Sequence, residues 1–130
     1  MHRLLCLAVL LTPIAGHSAS LKDFELTKTL EKVAANSNIG TPRVISNDIL
    51  DKGFSVNGNQ LINHLAVIPA HAEQMRANTQ SMRMTLKQSV CQNQGFVTLM
   101  SQGAVMRYQF TELPGEEVVL DERFSEIDCR

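Results

Sequence analysis

Two cysteines, Cys91 and Cys129, constrain the fold of this chain more than any other feature of its sequence. We expect the third cysteine, Cys6, to leave with an N-terminal targeting segment. In an oxidising compartment, two remaining thiols form a disulfide more readily than they persist as free cysteines. The predicted Cys91–Cys129 bridge would stabilise a small domain by about 4 kcal/mol in the chain-entropy model. A catalytic or metal-binding pair is disfavoured, because the two cysteines lie far apart and form no CxxC motif.

The N-terminal segment has the layout of a secretory signal peptide. Arg3 supplies positive charge, residues 4–11 form an apolar run, and small residues at 15–19 suit a signal peptidase. The run is too short for a membrane-spanning helix, which needs about 20 apolar residues. We therefore predict a signal peptide over residues 1–19 and an exported protein, periplasmic or secreted, without a membrane span.

Residues 20–130 are predicted to form a single α+β domain. The chain has 12 basic and 13 acidic side chains, and this near-neutral balance argues against nucleic acid as a partner. Trp is absent and there is one Tyr, so no aromatic platform for stacking bases is available. The sequence lacks a Gly-rich phosphate loop, an HExxH motif and an EF-hand loop. We expect no cofactor.

Apolar spacing predicts helices in two parts of this domain. Leu26, Leu30 and Val33 recur at intervals of four and three, which predicts a helix over residues 21–36 with Ser20 as its cap. After Pro69, the same periodicity predicts three further helices over residues 70–77, 79–91 and 95–102.

A first β-hairpin is predicted around Asn57-Gly58, the dipeptide that type I′ turns favour. A two-residue turn there would fix the register of the two strands. In that register Asp51 lies opposite His64, which predicts a carboxylate beside an imidazole.

A second hairpin is predicted from strands over residues 105–112 and 118–127. Pairing Phe110 with Val118 keeps the apolar side chains on one face, and it requires a bulge near Gly115. The predicted fold is therefore helices packed on one face of an antiparallel sheet that is made of two hairpins and closed by one disulfide.

The predicted mature chain has two histidines, His64 and His71, and neither lies in a nucleophile motif. A hydrolase built on His64 would need a Ser or Thr hydroxyl within reach of the imidazole. An exposed cross-strand ion pair between Asp51 and His64 would give the same pattern without catalysis. We therefore identify no catalytic residue.

His71 and Met75 lie four residues apart on a predicted helix, so both side chains lie on one face. Imidazole and thioether ligands suit copper(I), which makes a periplasmic small-ligand or copper-binding protein the alternative function. Methionine also fills gaps in small apolar cores, and this simpler interpretation predicts no metal site.

Short stretches follow one another along the chain in a distinctive order: Gly40-Thr41-Pro42-Arg43, Asn47-Asp48-Ile49-Leu50, Asn63-His64-Leu65, Pro69-Ala70-His71-Ala72, Met75-Arg76, Ser89-Val90-Cys91, Gly103-Ala104-Val105, Phe124 and Asp128-Cys129. In the order of these stretches the chain resembles the quorum-sensing-regulated virulence factors of Gram-negative bacteria, chiefly pseudomonads. The resemblance implies a single exported α+β domain, a setting of secretion and host interaction, and no established reaction.

Together, the residues and the resemblance favour an exported, non-enzymatic interaction protein. Its expected partner is a protein of the host or of the cell envelope. The candidate binding surface consists of Asp51, His64 and His71.

Overall fold

The computed structural model describes residues 17–130, with their side chains from Leu21 onwards. The predicted signal peptide lies almost wholly outside these residues. The elements follow one another as α1 (His17–Ser37), β1 (Arg43–Ser46), β2 (Ile49–Asn57), β3 (Gln60–Val67), α2 (Pro69–Ala77), α3 (Thr79–Gln92), α4 (Gln94–Ser101), β4 (Val105–Glu112), β5 (Glu117–Phe124) and a C-terminal 3-10 helix (Glu126–Cys129).

The five strands form one sheet in the order β1-β2-β3-β4-β5. The α+β class is confirmed, and so are the predicted hairpins β2–β3 and β4–β5. One expectation is corrected: the sheet is not wholly antiparallel, because β3 and β4 run parallel. Helices α2, α3 and α4 form a crossover between these two strands. A crossover is what a parallel pair requires, since a tight turn can join only antiparallel neighbours.

The described helices pack on one face of the sheet, as predicted, and we call it the covered face. Strand residues at alternate positions meet the helices there, because successive side chains of a strand point to opposite faces. The buried side chains form two clusters. The first contains Leu26, Leu30, Ala34, Leu61, Val90, Leu99, Met100, Ala104, Met106 and Phe124. The second contains Leu65, Val67, Ala72, Met75, Phe110 and Leu120.

In helix α1 the predicted Leu26 and Leu30 are buried in the first cluster, the predicted Val33 is partly buried against it, and Ala34 is a further buried residue. Its start differs from the prediction, because the backbone is already helical at His17 and Ser20 lies within the helix. Among residues 17–130, no helix is long and apolar enough to cross a membrane.

The register of the β2–β3 hairpin is not the predicted one. The turn lies at Gly58-Asn59, one residue later than the sequence suggested. This turn already places His64 opposite Gly53, and a bulge between Asp51 and Gly53 then places Asp51 opposite Leu65. The predicted pairing of Asp51 with His64 is therefore wrong.

Asn38, at the end of α1, explains where this bulge lies. Its side-chain amide accepts a hydrogen bond from the Phe54 amide at 2.6 Å and donates one to the Phe54 carbonyl at 2.9 Å. The neighbouring Gly53 has a φ of +108°, and a Cβ there would lie 2.6 Å from Asn38 Oδ1. Glycine is the residue that tolerates this conformation and this close approach.

The β4–β5 hairpin also differs from its predicted register. Phe110 pairs with Leu120 rather than with Val118, and the irregularity follows Phe110 instead of lying near Gly115. Val118 and Leu120 pair with consecutive β4 residues, so Val119 is the additional residue of a bulge inside β5.

The Cys91–Cys129 disulfide is confirmed, with 5.3 Å between the two Cα atoms. It joins the end of α3 to the C-terminal 3-10 helix. As predicted, the last strand ends before the cysteine: β5 stops at Phe124 and the 3-10 helix carries Cys129.

Arg83 of α3 provides a second attachment for the same segment. Its guanidinium forms ion pairs with Glu122 of β5 and Asp128 of the 3-10 helix, and it lies 4.7 Å from the centroid of the Phe124 ring. Asp128 also accepts a hydrogen bond from the Ser125 amide at 2.8 Å. The C-terminus is thus held by one covalent bond and several polar contacts.

Candidate functional site

The second face of the sheet, which we call the open face, has no counterpart to the helical layer in residues 17–130. Its alternating positions carry polar side chains on the central strands, including His64 of β3 and Arg107 and Gln109 of β4. Ile62 of β3 also belongs to this face and is only 7% exposed. Polar side chains around an apolar floor are typical of surfaces that bind other proteins.

His64 and Ser55 form a close hydroxyl–imidazole contact on the open face. Ser55 Oγ lies 2.6 Å from His64 Nε2, because the observed register places the two residues diagonally across β2 and β3. A depression of about 220 Å³ adjoins the imidazole. It is lined by Lys52, His64, Gln109, Thr111, Glu116 and Val118.

The Ser55 hydroxyl meets the geometric requirement of a hydrolase built on His64. A Ser-His-Asp triad would also need a carboxylate hydrogen-bonded to the second ring nitrogen of His64. Among the side chains of residues 21–130, no carboxylate forms such a bond to His64 Nδ1. Ser55 lies on a regular strand and not on the sharp turn that exposes the nucleophile of α/β-hydrolases. The hydrolase hypothesis stays a prediction.

Arg107 and Asp121 form the main ion pair of the open face. Arg107 Nε donates to Asp121 Oδ1 at 2.8 Å, and a second guanidinium nitrogen donates to Oδ2. Gln60 accepts a further hydrogen bond from Arg107 at 3.3 Å. The hydrogen bonds from Arg107 lower the pKa of the Asp121 carboxyl, while the same pairing raises the pKa of Arg107. Asp121 is therefore ionised and oriented at any physiological pH.

Asp51 does not lie on the open face. It is 7% exposed, and its carboxylate accepts a hydrogen bond from the Gly53 amide at 2.9 Å. Arg43 Nε approaches the same carboxylate at 3.9 Å. These contacts stabilise the bulge in β2, so Asp51 supports the strand and does not accompany His64.

His71 lies on α2, beside the turn between β1 and β2. Its Nδ1 is 3.9 Å from Asp48 Oδ2, and its Nε2 is buried without a hydrogen-bond partner in the structure. Asp51, His64 and His71 are thus not brought together into one surface.

Met75 packs in the second core cluster and is 1% exposed. A copper ion could reach its thioether only by entering the core, which favours the interpretation of Met75 as a packing residue. From Leu21 onwards, where side chains are described, no three His, Cys, Asp or Glu side chains are grouped as a metal site would need. The copper hypothesis has no further support from the described geometry.

Two more depressions lie at opposite ends of the domain. A small, mainly apolar one of about 230 Å³ adjoins β1, with Val44, Leu50, Ile68 and Leu113 in its wall. A larger groove of about 490 Å³ runs beside the disulfide, with Met84 and Lys87 on one side and Arg130 on the other.

Sequence reasoning missed Ser55, Arg107 and Asp121 as members of the open face. The alternation of Arg107, Gln109 and Thr111 along β4 is the signal that could have found that face. The position of Ser55 beside His64 depends on the turn at Gly58-Asn59, whereas the sequence favoured a turn one residue earlier.

The fold and the open face define a class: a small α+β domain with one helical layer, one uncovered sheet face and no assembled catalytic or metal centre among its described residues. Residues 19–130 match the model of a family described as "putative quorum-sensing-regulated virulence factor". The chain belongs to this family, which confirms the resemblance seen in the sequence.

Three solved structures share this fold. A protein of Pseudomonas aeruginosa, described as a "putative secreted protein", is 55% identical with a TM-score of 0.83, over 85% of this chain and 97% of that one. The type 2 secretion system pilotin of Vibrio vulnificus has a TM-score of 0.74 at 14% identity, over 85% of this chain and 97% of the pilotin. The corresponding pilotin of Vibrio cholerae has a TM-score of 0.68 at 13% identity, over 86% and 99%.

At such low identity the pilotins show a shared fold alone. The sequence has no significant match among curated proteins.

Proposed function

We propose that this protein is exported and acts by binding a protein partner rather than by catalysis. Its membership of a family named for virulence, and the 55% identical neighbour described as secreted, support export. The pilotin fold of two further neighbours is compatible with a role in the bacterial cell envelope.

The main observation that supports this proposal is the open face. It combines the ordered Arg107–Asp121 pair, the depression beside His64 and an apolar hollow next to β1. An ordered polar surface with an apolar hollow at its border offers both directional hydrogen bonds and apolar area to a protein partner. His64 is the member of the predicted binding surface that can contact a partner there, whereas Asp51 supports the strand beneath.

The experiment is site-specific photocrosslinking in cells of the bacterium that produces the protein. A benzophenone side chain replaces Lys52, which lines the depression beside His64, and in a matched control it replaces Lys32, an exposed lysine of α1. We expect one protein to be captured at position 52 and not at position 32, and a His64→Asp variant to weaken that capture. Equal capture at both positions, or none at position 52, would contradict the proposal.

A serine hydrolase is the second candidate, favoured by one observation, the 2.6 Å contact between Ser55 and His64. Turnover of p-nitrophenyl acetate by the purified protein, a Ser55→Ala variant and a His64→Gln variant tests it. A binding protein gives the same slow background with all three. A rate that falls at least about a hundredfold in both variants would replace the binding proposal, since such losses are typical of catalytic groups.

A further inference from the structure

The outer side of β1 is a sheet edge with little protection, and we call it the β1 edge. All four of its residues are exposed, and Val44 and Ile45 keep 72% and 56% of their surface in water. An edge strand also leaves backbone N–H and C=O groups without partners along its outer side. The β1 edge therefore combines apolar side chains with unpaired backbone groups.

Natural proteins usually shield such edges with charges, proline or a covering element. Pro42 lies just before β1, and a bulge at Ile45 interrupts its pairing with β2. The single charge in the strand is Arg43, whose guanidinium donates to the carbonyls of Ser37 and Ile39 at the end of α1, while half of the side chain remains exposed. Residues 44–46, the rest of β1, carry no charged side chain.

The unpaired backbone groups of the β1 edge favour a partner that supplies an extended backbone. Only a strand can pair with a row of backbone donors and acceptors, and alternate apolar side chains of that strand would meet the hollow beside Val44 and Leu50. A second copy of this chain fits poorly. A stable dimer buries about 800 Å² on each side, whereas four strand residues span only about 14 Å.

We propose that an extended segment of the protein partner, with apolar residues at alternate positions, adds to the sheet as a sixth strand along the β1 edge. This inference rests on the proposed protein-binding function and specifies how the partner binds. The added strand runs beside Val44, and its alternate side chains enter the apolar hollow at the border of the open face.

The test combines crosslinking with amide exchange. A benzophenone side chain is placed at Val44 and, as a control of equal exposure, at Met84, which is 71% exposed and lies near the disulfide. The partner peptide crosslinked at position 44 is sequenced and synthesised. Amide hydrogen exchange of residues 43–46 is then measured with and without this peptide, and binding is compared for the native protein, Val44→Asp and Met84→Asp.

We expect capture at Val44 alone, exchange of residues 43–46 slowed about tenfold or more by the peptide, and binding lost in Val44→Asp but kept in Met84→Asp. Unchanged exchange, or equal binding by both variants, would overturn the inference. A crosslink between two copies would assign the edge to self-association instead. Capture at Lys52 without capture at Val44 would leave the proposed function standing and remove only the added strand.

Discussion

The two edges of the sheet are held in opposite ways. Strand β5 has eight residues, charged side chains and a disulfide in the 3-10 helix that follows it. Strand β1 has four exposed residues and is tied to the rest of the domain mainly through β2. The comparison shows that the β5 edge has the stronger contacts with the rest of the domain. We infer that the other edge is left available for binding.

The largest change we expect at the β5 edge is loss of the disulfide. Replacing both Cys91 and Cys129 by serine should lower the free energy of unfolding by about 4 kcal/mol, because 38 residues separate the two cysteines. Urea denaturation measures this change. The native protein treated with reductant should match the double variant, and equal stability of the oxidised and reduced proteins would contradict the prediction.

On the β1 side, the largest expected effect comes from Gly53→Ala. The substitution places a Cβ 2.6 Å from Asn38 Oδ1 in a residue with φ of +108°. Backbone strain and displaced Asn38 hydrogen bonds together should cost about 3 kcal/mol in urea denaturation. Gly58→Ala is the matched control, since Gly58 also has positive φ but nothing within 4 Å of its Cβ position. A loss no greater than that of the control would show that Asn38 does not hold the bulge.

Arg83→Met should cost about 2 kcal/mol, because Glu122 and Asp128 lose a charged hydrogen-bond donor and Phe124 loses its cation. The same substitution at Arg43, near the β1 edge, should cost less than about 1 kcal/mol, since half of that side chain is exposed. Thermal or urea unfolding of the two variants compares the edges directly. Equal losses of unfolding free energy in the two variants would contradict the proposal that the β5 edge is held more strongly than the β1 edge.

A pH experiment isolates the ion pair that joins β4 to β5. The Arg107 guanidinium lowers the pKa of Asp121 in the folded protein. The resulting stabilisation is complete above the ordinary carboxyl pKa of about 4 and is lost as the pH falls through the lowered folded value. Between pH 5 and pH 2, the native protein should therefore lose more stability than Asp121→Asn does. Parallel pH profiles would contradict the prediction.

The smallest effect is expected at the β1 edge itself. Val44→Asp should change the free energy of unfolding by less than about 0.5 kcal/mol, because the side chain is mostly in water. Urea denaturation checks this result. A loss above about 1 kcal/mol would mean that β1 is part of the core, and that binding losses in this variant reflect unfolding.

The parts of the fold that were predictable are those set by neighbouring residues. The spacing of Leu26 and Leu30 identified α1, and the residues of β4 were located correctly, because local periodicity decides which side chains are buried. The disulfide followed from the number of cysteines and the expected compartment.

The parts that were missed depend on contacts distant in sequence. The bulge before Gly53 is set by Asn38, and the bulge after Phe110 depends on how β5 pairs with β4. A one-residue shift moves every side chain of a strand to the other face. The bulge therefore moves Asp51 off the face that carries His64, and the later turn brings Ser55 beside His64 instead.

We infer an order of folding for this chain from the parallel junction between β3 and β4. The two hairpins form from residues close in sequence, but joining β3 to β4 requires closing the long crossover that carries α2, α3 and α4. Cys91 lies in that crossover and Cys129 follows β5, so they meet when the late, non-local pairing is in place. We therefore expect the native disulfide to form only in molecules in which the two halves of the sheet have assembled.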